Sequence, residues 1–192
     1  MPASPQTVAE LVQIVESGQE VDYLFFWGHR PQPDGKVGAG CLSQWWPARF
    51  AIDGRDFATA EHYMMWRKAT LFGDGEIAER ILRVAGPDGA KKLGRQVRGF
   101  DQTEWERRRA EIVVRGSEAK FGQNRDLGRF LLSTGDRVLV EASPRDRIWG
   151  IGLAAGDERA RQPSRWRGRN LLGFALMRAR AALREQTPEE ER

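Results

Sequence analysis

Cysteine and histidine are scarce in this chain of 192 residues. Cys41 is the one cysteine, so the chain can form no internal disulfide framework and no cysteine-based zinc site. His29 and His62 are the two histidines, which is too few for a typical transition-metal site built by the protein. The sequence therefore predicts no metal site, and we expect no other cofactor.

Long apolar runs are also missing. No segment approaches the roughly 18 apolar residues of a membrane helix, and the start lacks the basic-then-apolar pattern of a signal peptide. Hydrophobic residues make up 40% and charged residues 30% of the chain, as in ordinary soluble proteins. We expect a cytoplasmic protein with no membrane partner. The length indicates one domain, because domains commonly span about 100–200 residues.

Basic residues and tryptophan are in excess. The net charge is +4 and the isoelectric point is near 9.6, which is compatible with anionic partners such as phosphates or nucleic acid. Arginines are dense in 107–109, 159–169 and 178–184, and we interpret most of them as solvated helix faces. The seven tryptophans suit the walls of a site for a planar heterocycle, although tryptophan is also a large core residue.

The segment 57–72 is predicted to be a helix, because Thr59 suits the N-cap and Gly73 ends a pattern that no glycine or proline interrupts. At about 100° per residue, one stripe of this helix carries a carboxylate and an ammonium among apolar side chains. The stripe comprises Glu61, Met64, Met65, Lys68 and Phe72. Charges that face a core are costly unless they are paired or used for chemistry. Taken alone, this helix favours a half-buried Glu–Lys pair that locks it in place.

The rest of the chain predicts shorter elements. Asp53–Gly54 is a favourable two-residue hairpin turn. Pro87 suits the first position of a helix that reaches Val97, and Asp101 with Glu104 resembles a capping box. The other predicted elements are a helix over 7–17, a buried strand over 24–27, helices over 76–84, 101–121 and 127–133, a strand over 138–141, a polar surface loop over 156–164, and a final helix with Asn170 as its N-cap.

The stretch that follows the last predicted strand is unusual. Glu141 and Asp146 flank a polar turn that contains Ser143, and Trp149 and Gly150 come next. Loops after strands commonly carry functional residues, and glycine lets the backbone approach a ligand closely. We therefore expect a site at this turn.

Helix N-termini offer further candidate contacts. Trp105 lies at the start of the long predicted helix, where free backbone N–H groups can meet an anion, although a core anchor is the alternative. Arg169 stands beside Asn170 before the final helix, where it can meet a phosphate.

A resemblance to a known family is carried by motifs that occur in unbroken order from about Leu24 to Leu183. They are Phe25-Phe26-Trp27-Gly28, Leu42-Ser43-Gln44-Trp45, Glu61-His62-Tyr63-Met64-Met65 with Lys68-Ala69, Gly94-Arg95, Trp105, Lys120-Phe121, Glu141-Ala142-Ser143-Pro144 with Asp146, Trp149-Gly150-Ile151-Gly152, and Gly168-Arg169-Asn170-Leu171-Leu172-Gly173. Together they resemble the NADAR (NAD- and ADP-ribose-associated) family, also called YbiA-like. Gln44 stands where the family pattern has Asn.

The resemblance implies a fold and a chemistry. It implies a mainly α fold with small β elements, as a single YbiA-like domain over 24–184. The helical extension (1–20) lies outside the resemblance, and from the sequence alone we expect 185–192 to be a disordered tail. It also implies cleavage of an N-glycosidic bond to ribose. In one branch of the family the substrate is a small ribosyl phosphate, a phosphorylated pyrimidine intermediate of riboflavin synthesis. In another branch the substrate is nucleic acid that carries ADP-ribose on guanine.

The resemblance also ties Glu61, Trp105, Asp146 and Trp149 to the active site, and this reverses the interpretation of Glu61 as purely structural. Loss of an N-linked base leaves an oxocarbenium-like sugar, which a carboxylate stabilises while an acid assists the leaving group. Our hypothesis is that Glu61 and Asp146 share these roles, and that Lys68 is either a phosphate contact or an amine that traps the opened ribose. Candidate substrate-binding residues are Trp45, Arg95, Trp105, Glu141, Ser143, Trp149, Gly150, Arg169 and Asn170.

Two non-catalytic interpretations stand beside this one. The chain can be a binding module for ADP-ribose or a related nucleotide, or it can bind nucleic acid through its arginines and aromatic residues. The presence of Glu61, Lys68 and Asp146 together favours catalysis, because a binder of anionic phosphates has less need of carboxylates nearby.

Overall fold

The fold is described from a computed structural model, which covers residues 4–186. Short strands and 3₁₀ turns separate the helices, and the described part is mainly helical, as the sequence predicts. The helices are α1 (Val8–Glu16), α2 (Ala60–Leu71), α3 (Gly75–Arg83), α4 (Pro87–Gly94), α5 (Gln102–Gln123), α6 (Arg125–Ser133) and α7 (Leu171–Gln186). The strands are β1 (Tyr23–Phe26), β2 (Phe50–Ile52), β3 (Arg55–Phe57) and β4 (Val138–Glu141). The predicted disordered tail is helical through Gln186 and otherwise lies outside the described residues.

Helix α2 is the centre of the molecule. It begins where the Thr59 side chain accepts a hydrogen bond from the His62 backbone N–H, as predicted for an N-cap. Helices α3, α4 and α5 all pack against it. The prediction of one core-facing stripe was too narrow, because Tyr63 and Trp66, outside that stripe, are also buried. A helix that is enclosed on most sides must satisfy any charge that it carries within the protein.

Glycines allow the close packing around α2. A Cβ atom on Gly116 of α5 would lie 2.6 Å from the ring of Tyr63, and one on Gly94 of α4 would collide with the sulfur of Met65. Both helices therefore approach α2 more closely than a larger residue would permit.

The small β elements join distant parts of the chain. Strands β2 and β3 form the predicted hairpin, with positive φ angles at Asp53 (53°) and Gly54 (72°). Strands β1 and β4 pair in parallel, and Phe26 is opposite Glu141. This pairing places the ends of both strands at the same edge.

Asn170 stands at the predicted N-cap position of α7, because its carbonyl accepts from the Phe174 N–H at 3.2 Å, but its side chain binds elsewhere. Its φ angle is 51°, its Oδ1 accepts from the Glu141 backbone N–H at 3.0 Å, and its Nδ2 donates to the Leu139 carbonyl at 2.9 Å. The amide therefore completes the hydrogen bonding of strand β4 and fixes the start of α7 against it.

Three local predictions also need correction. The strand predicted as buried over 24–27 is β1, in which only Phe26 is buried, and Trp27 is 62% exposed and lies after its end. Helix α4 ends at Gly94, before the predicted Val97. The segment 156–164 is more ordered than a polar surface loop, because two 3₁₀ turns bury Ala160 and Pro163. Among the described helices, none is long and apolar enough to cross a membrane.

Candidate active site

A cavity of about 190 Å³ lies beside α2. Its walls come from α2, from α4, from the turn before β2, and from the loop that follows β4. The lining residues are Ser43, Gln44, Trp45, Glu61, Met64, Met65, Lys68, Lys91, Gly94, Arg95, Glu141, Asp146, Trp149 and Leu172. The motifs of the sequence, which are far apart along the chain, meet here.

Glu61 occupies the first turn of α2 and is 3% exposed. Its backbone N–H donates to the Gln44 carbonyl at 3.0 Å, whereas its Oε1 is buried and has no hydrogen-bond partner among the described residues. Burial raises the pKa of Glu61 to about 7, against the opposing effects of Lys91 and of the Trp45 indole N–H. A carboxyl that titrates near neutral pH and has an unused oxygen on a cavity is suited to proton transfer.

Glu141 is the last residue of β4, and its side chain enters the same cavity. Its Oε2 is also buried without a hydrogen-bond partner among the described residues. Burial, together with the charges of Asp146 and Glu61, raises the pKa of Glu141 to about 8, and Lys91 opposes this shift. The carboxyl of Glu141 is therefore mainly protonated at neutral pH.

Asp146 is held by the loop after β4. Its Oδ1 accepts from the backbone N–H groups of Ile148 and Trp149, each at 2.8 Å. The Ser143 hydroxyl accepts from the Asp146 backbone N–H at 3.2 Å. Gly150 closes this loop against β4, because a Cβ atom there would lie 2.7 Å from the Glu141 carbonyl oxygen. These contacts fix the Asp146 carboxylate at the cavity.

Cationic side chains also line the cavity. Lys68 donates to the Gly94 carbonyl at 2.8 Å, and its Nζ lies 4.1 Å from the ring centroid of Phe100 and 5.8 Å from that of Trp105. Burial lowers the pKa of Lys68. Lys91 lies 5.7 Å from the ring centroid of Trp45. An anionic group of a ligand would find several positive charges here.

The structure brings most of the predicted site residues to the cavity. Those in the lining are Trp45, Glu61, Lys68, Arg95, Glu141, Asp146 and Trp149. The other predicted residues are outside the lining. Trp105 lies beside Lys68, and Ser143 and Gly150 shape the loop that carries Asp146. Asn170 binds β4, and Arg169 is exposed, with its backbone N–H donating to the Arg147 carbonyl.

Two further residues belong to the site: Lys91, which stands in none of the family-like motifs, and Lys120, which stands in one of them but had no predicted role at the site. Lys91 lies one helical turn before Arg95 on α4, and this spacing was the available signal. Lys120 is fully buried in α5, and its Nζ donates to the carbonyls of Cys41 (2.6 Å) and Ser43 (2.8 Å). It thereby supports the turn that carries the Gln44 and Trp45 walls. Burial lowers the pKa of Lys120 to about 7.

A metal site is not formed by the described residues, which contain no group of three or more His, Cys, Asp or Glu side chains placed to hold an ion.

Comparison with known proteins gives consistent matches. The model of the NADAR domain matches residues 25–184. The chain is similar to N-glycosidase R617 of Acanthamoeba polyphaga mimivirus, with 42% identity over 163 residues, which covers 82% of this chain and 94% of that protein. It is also similar to N-glycosidase YbiA of Escherichia coli K12, with 32% identity over 72% of this chain and 76% of that protein.

Two further matches concern a pathway and a fold. Riboflavin biosynthesis protein VVA0006 of Vibrio vulnificus is 33% identical over 78% of this chain, but the match spans only 37% of that protein. The NMR structure of E. coli YbiA superposes with a TM-score of 0.67 at 26% identity and covers 87% of this chain and 89% of that one. The fold is therefore that of YbiA, as a single mainly helical domain with few short strands.

Proposed function

The chain belongs to the NADAR family, and on that premise we propose that it is an N-glycosidase that hydrolyses the bond between a phosphorylated ribose and a heterocyclic base. Relatives that match most of the chain are named N-glycosidases. The observation that carries the proposal is the buried carboxyl of Glu61, with one unpartnered oxygen, in a cavity that also holds Asp146 and Lys68. A pure binding module for phosphates gains nothing from carboxyl groups kept in such a place.

The carboxylates of Glu61 and Asp146 carry the proposed mechanism. Departure of the base leaves positive charge on C1′ and the ring oxygen, and a nearby carboxylate stabilises that charge. Glu61 and Asp146 line the same cavity and share this stabilisation and the activation of the attacking water. Because Glu61 titrates near pH 7, it can accept the proton of water and release it again under physiological conditions.

The aromatic residues form the proposed base site. Trp45 and Trp149 line the cavity and can pack against the faces of a planar heterocycle. Trp105 acts indirectly in this proposal, by packing against Lys68, because its ring lies beside Lys68 and is not part of the cavity lining. Ser143, Gly150 and Asn170 would contribute by holding the loop and strand that carry Asp146 and Glu141. 

Positive side chains form the proposed phosphate site. Lys68, Lys91 and Arg95 line the cavity from α2 and α4. Lys68 has a second proposed role, because its lowered pKa leaves more of the amine free to condense with the aldehyde of the opened sugar.

The size of the cavity favours a small substrate. Pockets for drug-sized ligands have volumes of about 300–1,000 Å³, so a cavity of 190 Å³ suits a ribosyl phosphate with a single heterocycle. We propose a phosphoribosyl-aminopyrimidine of riboflavin synthesis as the substrate, and the similarity to a riboflavin biosynthesis protein supports this choice.

A second candidate is nucleic acid that carries ADP-ribose on guanine. One observation favours it: Arg147, Arg167 and Arg169 are exposed around the loop that contains Asp146. Such arginines can meet a phosphate backbone outside the cavity.

Side-by-side turnover assays separate these candidates. One assay uses the phosphoribosyl-aminopyrimidine and the other a guanine-ADP-ribosylated oligonucleotide, with Glu61→Gln protein as the blank. We expect release of ribose 5-phosphate from the small substrate. Restoration of unmodified guanine without release of ribose 5-phosphate would make ADP-ribosylated nucleic acid the substrate. Tight binding of ADP-ribose without turnover of either substrate would make the chain a binding module.

A further inference from the structure

We propose that Glu141 is the acid that protonates the departing base, an assignment that rests on the N-glycosidase function proposed above. The carboxyl of Glu141 lines the same cavity as Glu61 and Asp146, and it enters from a different element. The three carboxyl groups would therefore divide the work between an acid at the end of strand β4 and two carboxylates on helix α2 and on the loop after β4.

The backbone of Glu141 is fixed on both sides. Its N–H donates to Asn170 Oδ1 at 3.0 Å, and its carbonyl accepts from the Ile151 N–H at 3.0 Å. It is also opposite Phe26 in the parallel strand pair. With the strand end held in this way, the side chain has a defined direction, and Oε2 is buried with no hydrogen-bond partner among the described residues. A buried oxygen without a partner is costly unless a ligand supplies one.

The surroundings of Glu141 keep its proton in place. Helix α2 contributes Glu61 and Lys68 to the cavity, α4 contributes Lys91 and Arg95, and the loop after β4 contributes Asp146. Helix α7 adds only the apolar Leu172. Burial and the two neighbouring carboxylates outweigh Lys91, so the pKa of Glu141 lies at about 8. A general acid must hold its proton at the working pH, and Glu141 does so.

The other carboxyl groups are less suited to this role. Asp146 accepts hydrogen bonds from two backbone N–H groups at Oδ1, and such bonds favour the ionised carboxylate over the protonated acid. The Trp45 indole N–H, Lys91 and Arg95 all lower the pKa of Glu61, so its surroundings favour the carboxylate more than those of Glu141 do. Both neighbouring carboxyl groups raise the pKa of Glu141, and the acid in such a site is the carboxyl whose environment favours its protonated form.

The proton and electron balance of the step is simple. The bond between C1′ and the base nitrogen breaks, its electron pair goes to the nitrogen, and the Glu141 proton moves to the base. Water adds to C1′ and gives its proton to the Glu61 or Asp146 carboxylate. Solvent returns a proton to Glu141 and removes one from the other carboxyl, so that the net reaction consumes one water.

Leaving-group dependence tests the assignment. Wild-type, Glu141→Gln and Glu61→Gln proteins are compared on the phosphoribosyl-aminopyrimidine and on nitrophenyl ribofuranoside 5-phosphate, whose phenolate leaves without protonation. Glu158→Gln, on the exposed surface, is the matched control. We expect Glu141→Gln to slow the aminopyrimidine reaction by about a hundredfold and to leave the nitrophenyl reaction nearly unchanged, because only the first needs an acid. Glu61→Gln should slow both.

An equal loss on both substrates in Glu141→Gln would overturn the acid role and leave the proposed function intact. If wild-type protein cleaves neither substrate, the proposed function falls and this inference falls with it. Carboxyl-carbon NMR of wild-type protein with labelled glutamate gives a check that needs no folded Glu141 variant. The spectrum should show a glutamate carboxyl that stays protonated above neutral pH, and the same signal should remain in the spectrum of Glu61→Gln protein. The absence of such a signal would refute the assignment.

Discussion

Residue by residue, the proposed site depends on carboxyl groups whose surroundings differ. Glu61 is buried and Glu141 is half-buried, and each has a buried oxygen without a partner among the described residues, whereas Asp146 is bound by two backbone N–H groups. The sequence identified all three as candidates, because each stands in a motif or on a stripe where a charge is unexpected. It did not reveal their protonation, which depends on burial and on the distances between groups from different elements.

Asp146→Asn tests the proposed sharing of charge stabilisation. The asparagine Oδ1 can still accept from Ile148 and Trp149, so the loop should keep its shape while the negative charge is lost. We expect turnover to fall by at least about a hundredfold. Steady-state kinetics measure the effect, and Asp157→Asn, at the cap of a 3₁₀ turn, serves as the control. A folded Asp146→Asn protein with near-wild-type turnover would remove Asp146 from the mechanism.

Lys68 has two proposed roles, and borohydride trapping separates them. If its amine condenses with the opened ribose, reduction during turnover should attach ribose phosphate to Lys68 and inactivate the protein. Mass spectrometry of the digested protein locates the adduct, and Lys68→Arg should form none. No adduct in wild-type protein, together with a Lys68→Arg variant that has a raised KM alone, would restrict Lys68 to contacting phosphate.

At the scale of the helices and strands, local patterns were informative where local rules decide the structure. The boundaries of α2 follow from Thr59 and from the glycine after the helix, and the hairpin follows from Asp53–Gly54. The pairing of β1 with β4 has no local signal, because the strands are more than a hundred residues apart. Asn170 illustrates the same difficulty: asparagine before a helix suggests an N-cap, but its side chain binds the distant strand instead.

Gly173→Ala tests the contact between α7 and β4 that holds Glu141. A Cβ atom there would collide with the Leu139 carbonyl oxygen and with the Asn170 amide, so the helix or the strand must move. We expect a loss of about 1–3 kcal/mol in the free energy of unfolding, as for other overpacked sites, and lower activity. Denaturant unfolding measures the change.

Gly122→Ala is the matched control, because its Cβ atom would meet only Leu183 Cδ2 at 3.4 Å. This substitution within α5 should be neutral or stabilising by about 0.5–1 kcal/mol, since alanine favours helix. Equal stabilities of the two variants would contradict the proposed importance of the α7–β4 contact.

On the scale of the whole molecule, the cavity exists because α4, the turn before β2 and the end of β4 with its following loop converge on α2. The resemblance of the motifs indicated which of them matter, but composition and periodicity alone did not place Lys91 beside Glu61 or Lys120 beneath the turn at Ser43. Such placements depend on the packing of α4 and α5 against α2, and the sequence encodes them only through small residues at the contacts.

The buried carboxyl groups should make stability depend on pH. Glu141 has an ordinary pKa of 4.5 and a folded-state pKa of about 8. Its contribution to the free energy of unfolding is therefore fully present below pH 4.5 and is lost as the pH rises to about 8. His62 and Lys120, whose folded-state pKa values are lowered, act with the opposite sign. We therefore expect the free energy of unfolding of Glu141→Gln, measured relative to wild type, to rise between about pH 5 and 8.

Denaturant unfolding of both proteins across that range checks this expectation. Subtraction of the wild-type curve removes the contributions of His62 and Lys120, which both proteins share. A constant difference between the two proteins would mean that Glu141 titrates at its ordinary value, and the account of its burial would be wrong.

The most direct test of the central claim is the turnover of Glu61→Gln on the phosphoribosyl-aminopyrimidine, compared with wild type under identical conditions. The substitution keeps the size of the side chain and removes its ability to stabilise positive charge or accept a proton. We predict release of ribose 5-phosphate by the wild type and a loss of at least about a hundredfold in a variant that keeps its melting temperature. A folded Glu61→Gln protein that turns over at the wild-type rate would contradict the account.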